Sequence, residues 1–133
     1  MREFNLKIFT PDGVMYDDTA ESIVVRTTEG DVCILYGHID YATTIDFGRV
    51  KIRKNDVETF ASCMGGMLTV TKGEVRIAAT TFEFADKIDE SRALAAKEKA
   101  DEIIANSKDP DAVSLAELKL KRALNRLSVA KNK

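Results

Sequence analysis

Glycine stops where alanine takes over. All seven glycines of this 133-residue chain lie at or before Gly73, whereas alanine occurs six times in residues 1–87 and nine times in the 46 residues after them. Glycine serves turns that need positive φ, and alanine is the strongest helix former. A chain so divided is expected to place a strand-rich part, 1–87, ahead of a helical part, 88–133. Charge divides at the same point, with ten basic and fourteen acidic residues before residue 88 and ten basic and eight acidic from there on.

The first part alternates with a period of two, the pattern of strands with one face on a core. Phe4, Leu6 and Ile8 alternate with Asn5 and Lys7, and Thr10-Pro11-Asp12-Gly13 supplies a turn. Ile23-Val24-Val25 and Val32-Cys33-Ile34-Leu35 flank a second turn, Thr28-Glu29-Gly30-Asp31. Val50 and Ile52 alternate with Arg49, Lys51 and Arg53. After Asn55-Asp56 come Val57–Ser62, Met67–Thr71, a Lys72-Gly73 turn, Glu74–Ala79 and Thr80–Ala85. This spacing predicts about ten short strands in a β-sandwich or flattened barrel. Gly65-Gly66 marks a bulge or a tight backbone approach.

From Asp89 the period becomes 3.6. Ala93, Ala96, Ala100, Ile103 and Ile104 share one stripe of a helix over roughly 89–106. Asp109 before Pro110 reads as the cap of a second helix, with Ser114 and Glu117 as a capping box if it starts later. Its stripe is Val113, Ala116, Leu120, Ala123, Leu124 and Leu127, with Leu115 and Leu118 off it. The short connector predicts an antiparallel two-helix hairpin. Alanine seams bury little area, so such a hairpin is marginal without a further surface.

Several classes of function are disfavoured. With 20 Lys+Arg against 22 Asp+Glu, the chain lacks the basic excess of a nucleic-acid binder. No apolar run approaches the roughly 20 residues that span a bilayer, and Met1–Lys7 lacks a signal core, so a soluble cytoplasmic protein is expected. His38 is the single histidine, and Cys33 and Cys63 lie thirty residues apart, so no metal site is expected. Both cysteines sit in apolar runs and are expected to be buried thiols. No catalytic residues are identified, and the chain does not read as an enzyme.

Lys119, Arg122 and Arg126 recur at i, i+3, i+7 on the second helix. Arg122 and Arg126 are like charges four apart, which costs a few tenths of a kcal/mol unless an anion is shared. A solvated basic face is one reading, and an anion site or a strip for an acidic partner the other. Asp89 and Arg92 open the first helix as an ordinary cap and i, i+3 pair, or as groups that hold a ligand.

Three stretches resemble the epsilon subunit of bacterial F-type ATP synthases. Gly30-Asp31-Val32-Cys33-Ile34-Leu35-Tyr36-Gly37-His38 resembles that family's strand and Gly-His turn. Gly65-Gly66-Met67-Leu68-Thr69-Val70 resembles its Gly-Gly strand, and Ile88-Asp89-Glu90-Ser91-Arg92-Ala93 its Ile/Leu-Asp-x-x-Arg-Ala motif. The resemblance covers almost the whole chain. Departures are Cys33 for Gly, Tyr36 for Pro, and Ile39-Asp40-Tyr41 for Ala-Pro-Leu.

The resemblance implies a non-catalytic central-stalk subunit of a proton- or sodium-translocating synthase, peripheral on the cytoplasmic face of the bacterial cell membrane. Its partners would be the gamma subunit, the ring of c subunits and the catalytic alpha/beta head, with no nucleic acid. Asp31 maps to a c-ring contact and His38 to a gamma contact. The hairpin would be the regulatory part, inhibiting ATP hydrolysis when extended. No cofactor is required, but ATP is implied as a regulatory ligand of the compact form, at Glu83, Ile88, Asp89, Arg92, Ala93, Lys99, Arg122 and Arg126. Lys99 stands where some ATP binders carry Arg, keeping the charge without the planar fork. The competing expectation is a free-standing β-sandwich binding module with a helical dimerisation tail.

Overall fold

Phe4, Leu6 and Ile8 are buried and the residues between them exposed, so the first strand meets a core with one face, as its alternation requires. A computed structural model of the chain describes residues 2–132. It contains β1 (Phe4–Thr10), β2 (Gly13–Ala20), β3 (Ser22–Thr27), β4 (Gly30–Leu35), β5 (Tyr41–Lys54), β6 (Val57–Thr71), β7 (Glu74–Ala79) and β8 (Phe82–Phe84). A single 3-10 turn, Ala85–Lys87, precedes α1 (Glu90–Asn106) and α2 (Pro110–Ala130). Two compact units result, Met1–Phe84 and Ala85–Lys133.

The eight strands form one hydrogen-bonded sheet in the order β2-β1-β7-β6-β5-β3-β4, with β8 also on β6. It makes a sandwich because β5 and β6 are long enough to serve both layers. The far half of β6 pairs with β7, from Gly66 opposite Ala79 to Thr71 opposite Glu74. Its near half pairs with β8, Ala61 opposite Phe84. The inner faces meet in a core of residues such as Leu6, Ile8, Ile23, Val25, Ile34, Val50, Leu68 and Ile77.

Among the described residues the strands number eight rather than ten. Tyr41–Lys54 and Val57–Thr71 are each continuous, at 14 and 15 residues, where several short strands were expected. Their mutual register runs unshifted from Tyr41 opposite Val70 to Lys54 opposite Val57, so Gly65-Gly66 inserts no bulge into that ladder. It is a close approach instead. A Cβ on Gly66 would fall on the Ala78 carbonyl and within 2.8 Å of the Ala79 Cα.

Cys33 is exposed and only Cys63 is buried. Val32 and Ile34 take the inward phase of β4, and alternation turns Cys33 outward. Burial pushes the Cys63 thiol up to about 12, because a thiolate there would lose its water.

In the second unit α1 and α2 pack together across the connector Ser107–Asp109, and three residues leave room only for an antiparallel return. Asp89 caps α1 by accepting from the Arg92 N–H at 3.1 Å. Asp109 caps α2 by accepting from the Asp111 N–H at 3.1 Å, with Pro110 in the first turn, so Ser114 and Glu117 lie inside the helix rather than at its start. Apart from Val129 and Ala130 near the end of α2, the buried helical positions are alanines, Ala93 and Ala100 on α1 and Ala116 and Ala123 on α2. Each pair is seven apart, the spacing of a coiled-coil seam. Ala96 and Leu124, expected on the stripes, are exposed. A seam repeating every seven residues passes through Lys97 and Leu127, each half-buried, and leaves Ala96 and Leu124 at its side.

Candidate functional site

The β unit carries one candidate site, at the loop that follows β4. Leu35 ends β4 as its outward residue, and Tyr36-Gly37 turns the chain with Gly37 at φ 81. The His38 N–H donates to the Leu35 carbonyl at 3.2 Å. The His38 Nδ1–H donates to the Ile39 carbonyl at 2.7 Å. The rings of His38 and Tyr41 lie 5.8 Å apart. Leu35, Tyr36 and Ile39 are 50%, 53% and 77% exposed, an unusual run of apolar side chains facing solvent.

Beside this loop lies a cleft of about 360 Å³, lined by Phe4, Asn5, Tyr36, His38, Lys72 and Glu74 among others. Its rim is polar and well connected. Asn5 Nδ2 donates to Glu74 Oε1 at 3.2 Å, and the Lys72 N–H donates to Asp40 Oδ1 at 2.9 Å. The Arg2 guanidinium lies 4.9 Å above the centre of the Tyr36 ring. The arrangement suits docking of a protein surface, offering apolar area and hydrogen-bonding groups.

Asp31 does not line this cleft. It stands near the start of β4, opposite Arg26, whose Nε is 3.0 Å from Asp31 Oδ1. The four residues to Leu35 amount to about 13 Å of strand. His38 and Asp31 therefore mark opposite ends of one edge strand. Asp40 and Lys72 were missed as participants, and nothing in a local pattern links positions 32 apart.

The helical unit holds most of the residues to which the resemblance assigned ATP. Asp89 is exposed at the α1 cap, Arg92 is exposed, and Ala93 is buried in the seam. Ile88 is buried, and its N–H closes the 3-10 turn onto the Ala85 carbonyl at 3.2 Å. That turn packs against α2, so the end of α2 lies near the start of α1. Counting back from the connector at about 1.5 Å per residue, Arg92 falls at a height between Arg122 and Arg126, both half-buried. Lys99 is exposed and sits about 10 Å further along α1, nearer the connector. Glu83 belongs to the other unit, on β8 opposite Ser62.

Among the described residues, no group of three or more His, Cys, Asp or Glu is arranged to hold a metal ion. No helix there is long and apolar enough to cross a membrane.

Comparison with known proteins follows the same division. The family described as ATP synthase, Delta/Epsilon chain, beta-sandwich domain matches residues 3–85, and its long alpha-helix domain counterpart matches residues 86–131. An ATP synthase epsilon chain of Bacillus velezensis is 40% identical over 132 residues, covering 99% of this chain and all of that one. One from Staphylococcus aureus is 37% identical over 134 residues, covering all of both. A chain in the Euglena gracilis mitochondrial ATP synthase shares the fold, with a TM-score of 0.81 at 21% identity, over 92% of this chain and 78% of that one.

Proposed function

Since the chain belongs to the ATP synthase delta/epsilon family, as an epsilon chain of an F-type ATP synthase, we propose that it works in the central stalk, with the β unit as its fixed anchor and the hairpin as its moving part. The β unit docks through its exposed Leu35–Ile39 end onto gamma and the c ring, with His38 toward gamma and Asp31 toward the ring. The subunit is peripheral, held by these partners at the cytoplasmic face of a bacterial membrane. It carries torque without catalysing a reaction.

The hairpin inhibits hydrolysis when it extends into the catalytic alpha/beta head. Its second helix suits acidic segments there, since residues 107–133 carry seven basic and three acidic side chains. ATP favours the compact form by binding it alone, which stabilises that form by RT ln(1 + [L]/Kd). Arg122 and Arg126 hold the phosphates from α2, while Asp89 and Arg92 act from the start of α1. Ile88 and Ala93 shape the apolar side, and Lys99 completes the set at its edge. The observation that carries this reading is the height match of Arg92 with the Arg122–Arg126 pair. A shared polyanion offsets the repulsion of those two arginines.

Calorimetry of the isolated chain with ATP tests it. Arg122→Ala and Arg126→Ala are expected to weaken binding at least tenfold, on the scale of a charge-assisted contact, with Lys131→Ala close to the unmodified chain. Equal small effects at all three positions reject the nucleotide site and leave the stalk assignment standing.

A further inference from the structure

Residues 36–40 belong to no strand, and their apolar side chains face solvent, yet the segment is pinned at several points. Tyr36 lies beneath the Arg2 guanidinium, 4.9 Å from ring centre to Cζ. The His38 ring rests near Tyr41 at 5.8 Å. Asp40 accepts the Lys72 N–H at 2.9 Å across 32 residues of sequence. That last bond has a particular donor. Lys72 is the first residue of the two-residue turn joining β6 to β7, with φ 50, and Gly73 follows at φ 80. Thr71 and Glu74 close the ladder around that turn, so the Lys72 N–H lies outside the strand pairing and bonds to Asp40 where water would otherwise serve.

We propose that Asp40 is a positioning residue for docking: by accepting the Lys72 N–H it locks the His38 loop to the β6–β7 turn and presents both as one preformed rim of the cleft. This rests on the reading above that this end of the β unit meets gamma. A loose loop would lose conformational freedom when a partner seats on it, and that loss subtracts from affinity. The limits on this loop come from outside it, from Lys72 and Arg2, so the order of the rim depends on tertiary contacts that a single substitution can release.

The test compares the full chain with Asp40→Ala and with Asp40→Asn, which keeps an acceptor oxygen. Amide exchange at Lys72 and His38 is read by nuclear magnetic resonance, and binding to purified gamma by calorimetry. Asp40→Ala is expected to speed Lys72 exchange and to weaken gamma binding, each about tenfold, at an almost unchanged thermal midpoint. Asp40→Asn is expected to restore most of both. Unchanged exchange at Lys72 in Asp40→Ala shows the bond to be idle and overturns the proposal. Faster exchange with undiminished gamma binding overturns it too, since loop order would then not matter to docking. Failure of the unmodified chain itself to bind gamma rejects the stalk reading and this proposal together, an outcome distinct from the other two.

Discussion

Asp18 Oδ1 and Lys54 Nζ meet 2.7 Å apart, joining β2 to β5, two strands that lie four places apart in the hydrogen-bonded order of the sheet. The pair bridges the side of the sandwich that no ladder closes. The hydrogen bond from Lys54, helped by the Thr19 N–H, holds the Asp18 carboxyl below its ordinary 3.8. Asp18 in turn holds the Lys54 ammonium above its ordinary 10.5.

The sign of the pH dependence follows. A carboxyl whose folded pKa is depressed adds stability above 3.8, which is lost as pH falls through its folded value. An ammonium whose folded pKa is raised adds stability below 10.5, lost as pH rises through its folded value. Asp18→Asn is therefore expected to lower the thermal midpoint between these limits, and to converge on the unmodified chain as pH falls below 3.8. A midpoint difference that stays constant through acid would show that the ion pair is not its source.

Gly66→Ala is expected to be among the most damaging single changes in the β unit. It forces an alanine to φ 130 and drives its Cβ into the backbone of β7. The expected loss is about 2–4 kcal/mol in urea unfolding. Gly37→Ala is the control, because its added Cβ meets nothing within 4 Å and only the φ of 81 is strained. It should cost about 1 kcal/mol.

Lys72→Asn is expected to stabilise. Lysine at φ 50 ahead of Gly73 occupies a two-residue hairpin turn with both residues at positive φ, which asparagine tolerates better. A gain of about 0.5 kcal/mol should appear in the denaturation midpoint, with the Lys72 N–H still available to Asp40.

The two thiols should separate cleanly. Iodoacetamide under native conditions is expected to modify Cys33, which is exposed, and to spare Cys63. Cys63 has its thiol at about 12 and no solvent access. Mass spectrometry before and after unfolding reads the difference, and equal native labelling would contradict the placement of Cys63.

Removal of residues 88–133 is expected to leave a cooperatively folded β unit that still binds gamma. The core cluster runs from Phe4 to Phe82 and includes no helical residue. Circular dichroism and calorimetry of the truncated chain check both points, and an unfolded product would reject the division.

Much of this was legible in the residues themselves. Period-two alternation placed Phe4, Leu6 and Ile8 in the core, and Asp109-Pro110 gave the start of α2. Alternation also held the answer for Cys33, since the phase set by Val32 and Ile34 turns it outward although its neighbours are apolar. The length of β5 and β6 was not legible. A strand that crosses from one layer to the other changes its surroundings midway, and the alternation breaks there, as at Ala61–Met64, four consecutive buried residues of β6. Ala96 and Leu124 were misplaced because a seam between two helices is narrow: from Ala93 it steps four residues to Lys97 and three to Ala100, whereas the expected stripe stepped three and then four. At the candidate docking site, His38 came from a motif, whereas Asp40 acts through Lys72, a partner that only tertiary structure supplies.

The parallel pairing of β1 with β7, which sets Leu6 beside Val75 and Ile8 beside Ile77, also constrains the order of events during synthesis. β1 finds that neighbour only after some seventy further residues have followed it. Until then its apolar face can be covered only in part by the β2 hairpin, so the newborn chain passes through an interval in which chaperones, or other chains, compete for Leu6 and Ile8.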